Sequence, residues 1–290
     1  MLTATGRSVR YHGEKADLEY DAMPSQQEKY ERFLQLHERA GIFAIPNPWN
    51  AGTAKMLTQI GFDALATTSA GLAFSLGCAD SSGELSRMQV LANAREIVEA
   101  TDLPVTADLE SGFGEEPEAC AMSIQQAVAA GLVGGSIEDA AGRADNPIYP
   151  LALAVERIAA ACEVARGMPF VLTARAENFL WGRPDLDDTI RRLQAFEAAG
   201  ADVLYAPGLP DLEAIKTVCA SLAKPVNVVI GLKPPFYSLD ELQAAGVKRV
   251  SVGGALLRTA IAAFHAAASE IKEKGTFMFA ANAIPNAVSS

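Results

Sequence analysis

The chain has 290 residues, half of them hydrophobic and a fifth charged, with a net charge of −11. That composition excludes wholesale disorder, and the acidic balance without any Lys/Arg cluster argues against a nucleic-acid partner. No uncharged stretch approaches the ~18 apolar residues of a membrane span, and the first residues lack the apolar core of an export signal. Cys78, Cys120, Cys162 and Cys219 form no C-x-x-C pair, which fits a reducing, cytoplasmic setting better than a disulfide framework.

Residues 1–24 are polar and mixed and read as an N-terminal arm, leaving 25–290 as one domain. Gln26–Arg39 has the period of a helix, followed by a first strand at Ile42–Ile45. A degenerate unit then recurs, in which a helical pattern closes on glycine and an apolar strand follows. Its copies lie at Ile60–Thr67, Ala130–Ile137, Ala199–Ala206 and Ala245–Val252. Each glycine stands where a helix ends in the left-handed conformation. Val105–Asp108, Phe170–Ala174 and Val226–Ile230 supply further strands, and Leu186–Ala199 and Leu239–Ala245 are clear helical stretches between them. Continuous apolar runs predict parallel strands covered on both faces. Eight strands alternating with helices predict a (β/α)8 TIM barrel over the rival open sheet, since no G-x-G-x-x-G opens the first strand–helix turn. The final long helix, Leu256–Lys274, carries an alanine-rich face that needs a partner.

A barrel carries its chemistry at the C-terminal ends of its strands. Two of those ends are acidic: Asp108 and Glu110 after the third strand, Glu138 and Asp139 after the fourth. Such residues can be helix caps or solvated loop acids. Two pairs on adjacent strands repel unless a cation lies between them, and Mg²⁺ takes one or two carboxylates while keeping several waters. Arg175 ends the fifth strand, either as a clamp on a substrate carboxylate, the favoured reading, or in a salt bridge to Glu138 or Glu177. Thr67–Gly71 offers hydroxyls and N–H groups suited to an oxyanion. His12, His37 and His265 fall on the arm and on helices, which argues against a Ser-His-Asp or His-metal site.

These motifs in this order resemble the isocitrate lyase/phosphoenolpyruvate mutase superfamily. The resemblance rests on Asn47–Gly52, Thr67–Gly71, Leu76–Asp80, Ala107–Gly114, Ile137–Asp139, Thr173–Arg175 and Lys248–Gly253. It implies a barrel whose last helix is exchanged between subunits of a dimer-of-dimers homotetramer. It also implies Mg²⁺, with Mn²⁺ as a substitute, binding a pyruvate-like enolate. By position Asp108 is then the direct metal ligand, with Asp80, Glu110 and Glu138 holding metal-bound waters. Thr68, Ser69 and Ala70 would cradle the enolate or carboxylate, and Arg175 and Asn227 would contact substrate.

One departure bears on the reaction. Carbon–carbon lyases of this family carry Lys-Lys-Cys-Gly-His in the loop after the fourth strand; here the loop reads Ala140–Pro147, with Asn146 where the cysteine would fall. The resulting expectation is a Mg²⁺-dependent lyase acting on a C–C bond at C3 of a small 2-oxo or 2-hydroxy acid, with Asp80, Glu138, Asn146 and Arg175 as catalytic candidates. Phosphonopyruvate P–C chemistry and a non-catalytic, carboxylate-binding barrel are the alternatives. Asp145 or Arg143 could stand in for the missing acid/base.

Overall fold

A computed structural model describes residues 23–79, 84–143, 145–231 and 233–284. Eight strands form one sheet: β1 (Phe43–Ile45), β2 (Leu65–Ala66), β3 (Val105–Asp108), β4 (Gly134–Glu138), β5 (Val171–Arg175), β6 (Val203–Tyr205), β7 (Val226–Val229) and β8 (Arg249–Ser251). The order is β1-β8-β7-β6-β5-β4-β3-β2, and every neighbouring pair is parallel. The remaining gap is bridged where the Ala66 N–H donates to the Pro46 carbonyl at 3.0 Å. The sheet therefore curls into a nearly closed (β/α)8 barrel, as the repeat predicted.

The helices are α1 (Gln26–Glu38), α2 (Ala51–Ile60), α3 (Ser69–Ser75), α4 (Arg87–Glu99), α5 (Pro117–Ala129), α6 (Leu151–Ala165), α7 (Leu186–Ala199), α8 (Leu212–Ala220), α9 (Leu239–Ala244) and α10 (Ala255–Lys274). Gly61, Gly131, Gly200 and Gly246 hold φ between 89° and 111° at the helix-to-strand turns, which is the left-handed conformation expected of them. The repeat did not reveal that β2 is followed by two helices. The division lies at Leu76–Gly77, where α3 ends and Gly77 takes φ 73°.

Helix α1 begins in a capping box between Ser25 and Glu28 and covers the N-terminal mouth of the barrel. Its Phe33 is fully buried in a cluster with Phe43, Ile45, Val133, Val171 and Val203, most of them residues at or just before strand starts. A larger cluster, including Leu109, Ile124, Ile158, Leu172 and Phe196, fills the layer between helices and sheet. That closed end and packed wall leave the C-terminal mouth as the open one.

Among the described residues, α10 buries only Leu257, while Phe264 is 74% and Ile271 42% exposed. Among the described residues no helix is long and apolar enough to cross a membrane. Most of the expected arm, residues 1–22, lies outside the described residues.

Candidate active site

Parallel register decides which polar residues meet. Asp108 pairs with Ser136 and Glu138 with Arg175, so the ends of β3, β4 and β5 deliver two acids and a guanidinium to one spot. Arg175 Nη1 lies 3.0 Å from Asp108, Nη2 lies 3.1 Å from Glu138, and Nε lies 2.9 Å from Glu177. Its guanidinium also sits over the Tyr205 ring, 5.0 Å from the centroid. Arg175 is thus held in salt bridges to three acids, including both Glu138 and Glu177, rather than standing free as a clamp. The reason is local charge: a buried fork with five donors satisfies the nearest carboxylates when no other anion is present.

The surrounding residues fix that cluster. Ser69 Oγ donates to Asp108 Oδ2 at 2.9 Å, and the Asp108 N–H donates to Thr67 Oγ1 at 3.2 Å. Asp108 Oδ1 accepts from the Glu110 N–H at 3.2 Å. Glu110 and Phe113 hold positive φ, 49° and 61°, an uncommon state for side chains other than glycine that marks a specialised loop. Arg157 clamps this loop from α6, donating to the carbonyls of Ser111, Gly114 and Glu115. Behind Glu177, Asp139 accepts its N–H at 2.8 Å and pairs with Arg192 at 3.0 Å.

Charge is unbalanced at this end of the barrel. Burial pushes Glu138 well above the usual carboxylate range; Arg175 pulls it back, and Glu177, Asp108 and Glu110 push it up again. Glu177 is raised in the same way, chiefly by burial and partly by Asp139. Burial works against the Arg175 charge, but Glu177, Glu138 and Asp108 outweigh it and hold its proton firmly.

Below the cluster is a cavity of about 70 Å³. Its lining includes Thr68, Asp108, Arg175, Tyr205, Asn227 and Arg249. Asn47 ties the wall together: its Nδ2 donates to the Thr67 carbonyl, and its Oδ1 accepts from the Val252 and Gly253 N–H groups, all at 2.9 Å.

Of the residues expected from sequence, Thr68, Asp108, Arg175 and Asn227 line the cavity. Glu138 stands at its edge through Arg175, and Ser69 acts by holding Asp108. Ala70 lies in the first turn of α3, and Thr68 caps that helix by accepting from Gly71 N–H at 3.2 Å. Asn146 is not brought in: it faces Arg183 at 3.5 Å on the loop closed by the Ala140–Ile148 bridge. Arg143 is drawn to the exposed Glu115 and Asp145 is exposed. Asp80 lies outside the described residues. Sequence reasoning missed Tyr205 and Arg249. Tyr205 closes β6 and Arg249 opens β8, positions where only spatial neighbours reveal a role, although the alternation along β8 does put Arg249 and Ser251 on the same face.

Among the described residues, no three His, Cys, Asp or Glu side chains are grouped closely enough to hold a metal ion by themselves. Asp108, Glu138 and Glu177 instead surround Arg175.

Comparison with known proteins accords with this geometry. A family model described as phosphoenolpyruvate phosphomutase matches residues 33–272. A probable 2-methylisocitrate lyase of Corynebacterium glutamicum is 29% identical over 244 residues, covering 81% of this chain and 79% of that protein. The structure of a Burkholderia cenocepacia J2315 protein provisionally described as a lyase/mutase is 55% identical, with TM-score 0.88 over 91% of this chain and 95% of that one. A 2,3-dimethylmalate lyase, described as a PEP mutase/isocitrate lyase superfamily member, is 26% identical with TM-score 0.81, covering 92% of this chain and 94% of that one. With its barrel, its strand-end acids and a family match spanning most of its length, the chain belongs to the phosphoenolpyruvate phosphomutase family of the isocitrate lyase/PEP mutase superfamily.

Proposed function

We propose that this protein is a Mg²⁺-dependent lyase that makes or breaks the C–C bond at C3 of a pyruvate-like enolate in a small 2-oxo or 2-hydroxy carboxylic acid. The observation that carries the reading is the cluster of Asp108, Glu138 and Glu177 around Arg175, set over a small polar cavity. A small cavity lined by polar groups suits a few-carbon acid. The names of the relatives support the same class: 2-methylisocitrate lyase and 2,3-dimethylmalate lyase are both lyases of small carboxylic acids.

The donor set fits a hard divalent cation. Three carboxylates share one guanidinium, and burial, with the neighbouring acids adding to it, holds Glu138 and Glu177 above the usual carboxylate range. Asp108 would hold Mg²⁺ directly, with Glu110 and Glu138 reaching it through water and Asp80 completing the set, an arrangement that needs no cage of converging carboxylates. When bound, Mg²⁺ would supply the positive charge that stabilises an enolate oxygen. Arg175 orients the acids before substrate arrives and would turn to a substrate carboxylate as those acids engage the metal. Tyr205 shields the guanidinium from water on its ring face. Thr68, with Ser69 and Ala70 following it in α3, would face the enolate, and Asn227 would present its amide from β7. The loop carrying Asn146, with Asp145 and Arg143 beside it, would have to fold over the mouth to act as acid/base.

A P–C bond reaction on phosphonopyruvate is the second reading, favoured by the description of the matching family. The exposed apolar face of α10 supports exchange of this helix between subunits of a homotetramer. Four free thiols support a cytoplasmic location.

Pyruvate release coupled to lactate dehydrogenase tests the reading. Oxaloacetate, alkyl-substituted malates and phosphonopyruvate are offered with and without Mg²⁺, with Asp108→Ala as the blank. Metal-dependent pyruvate from one acid, lost in the variant, is the expected result. Silence with every acid would refute the lyase and leave a carboxylate-binding barrel.

A further inference from the structure

The cavity has a second guanidinium, and its surroundings are the reverse of those of Arg175. Arg249 is 4% exposed and lines the cavity from β8. Its Nε lies 2.8 Å from Asn227 Oδ1, its Nη2 lies 2.9 Å from Thr173 Oγ1, and its Nη1 lies 3.3 Å from His37 Nε2. Every one of these partners is neutral, because burial and Arg249 itself pull His37 down to about 3. Among the described residues, no carboxylate is paired with Arg249. Burial lowers its own value only to about 10, so it keeps its charge at neutral pH.

A buried cation without an anion is costly, and a structural arginine would be expected to have recruited one. Here the mouth of the cavity is rich in carboxylates and the interior beneath holds unpaired positive charge. The arginine also sets its neighbour. A guanidinium only donates, so the atom of Asn227 that faces it is Oδ1, and Nδ2 is turned toward Ser251 Oγ at 3.1 Å, on the cavity lining.

We propose that Arg249 makes this cavity selective for an anion, supplying the positive charge beneath the ligand and orienting Asn227 to donate to it, as a positioning and specificity-determining residue. Arg175 is already engaged by three acids; Arg249, with no carboxylate paired to it among the described residues, adds the charge that answers the ligand. The inference deepens the proposed function and uses a readout independent of turnover.

The probes are oxalate, a planar dianion shaped like an enolate, and oxamide, its neutral counterpart, measured by calorimetry on the full chain with Mg²⁺. The wild-type protein should prefer oxalate. Arg249→Gln should weaken oxalate by roughly 30-fold or more while moving oxamide by about threefold or less, and Arg249→Lys should recover most of the loss. Asn227→Asp keeps a bonded pair but hands Arg249 a carboxylate, so it too should lose oxalate while melting near the wild-type temperature. Equal losses for oxalate and oxamide would reduce Arg249 to a structural role and overturn the proposal, as would an Asn227→Asp protein with undiminished oxalate affinity. Should Arg249→Gln fail to fold, Arg249→Lys and Asn227→Asp decide the matter. Oxalate selectivity without turnover of any acid would reject the lyase and leave this inference standing; turnover with charge-blind binding would do the opposite.

Discussion

Arg192 offers a sharp test of how the site is supported. It is buried on α7 and donates to Asp139 at 3.0 Å, Asp188 at 2.8 Å and the Tyr149 carbonyl at 2.9 Å. Replacing it with Met keeps the apolar stem and removes the charge. Asp188 retains Arg191 and Asn178 as partners, so the cost falls on Asp139, which is 2% exposed and would keep only N–H donors such as that of Glu177. Stranding a buried charge in this way costs about 3–5 kcal/mol. For a domain of this size that is a fall in Tm of roughly 6–20 °C. The companion Arg192→Met/Asp139→Asn removes both charges and leaves an amide oxygen for the Glu177 N–H. It should regain at least half of the loss, so that the two changes are strongly non-additive. Urea melts of the four proteins complete the cycle, and the lyase assay should show the single variant the weaker, because Asp139 positions Glu177 and Glu177 positions Arg175. An Arg192→Met protein within about 1 kcal/mol of wild type, or a double variant no more stable than the single, would show that the Asp139 charge is not what Arg192 holds.

Three further tests follow from the same geometry. His37 sits with Nδ1 2.8 Å from the Phe33 carbonyl and its ring edge-on to Phe33 and Phe43. Because its value falls to about 3, the unfolded chain takes up a proton below pH ~6.5 that the native protein refuses, so stability present above that pH is lost on acidification, by about 2 kcal/mol between pH 6.5 and 5. His37→Gln should flatten that limb in urea melts, and an unchanged slope would contradict the assignment. Gly112 holds φ 83°, and a Cβ there would meet Cys120 Sγ at 2.8 Å. Gly112→Ala should cost about 2–4 kcal/mol, and adding Cys120→Ala should return the clash but not the roughly 1–2 kcal/mol of backbone strain; full recovery would mean that φ is not limiting. Arg157→Met should release the Ser111–Glu115 carbonyls, lowering Tm by several degrees and weakening Mg²⁺ binding by about tenfold; calorimetric titration that found wild-type metal affinity would separate Arg157 from the site.

The local signals were those that act along the chain. Glycine at a helix end and a continuous apolar run each depend on neighbours a few residues away, so the eight strands and the barrel were legible as a repeat. Asp108, Glu138 and Arg175 were legible for a related reason, since charged residues that end apolar strands stand where a barrel places its chemistry. The sequence could also mark Thr68, which belongs to a motif carried by the resemblance, and Asn227, the polar residue of the seventh strand.

What the chain alone left open was pairing. Whether Arg175 faced a ligand or the acids depended on the register that sets Glu138 beside it and Asp108 one strand further, a relation among residues dozens of positions apart. Asn146 was placed by counting along a loop, and the loop's own turn carries it toward Arg183 instead. Arg249 carried no role of its own within the Lys248–Gly253 motif until the closed sheet turned it inward against Thr173 and Asn227, with no carboxylate paired to it among the described residues. Local propensity determined which segments are strands and where each one ends; only closure of the barrel decided which charges share the interior and which of them stand unanswered.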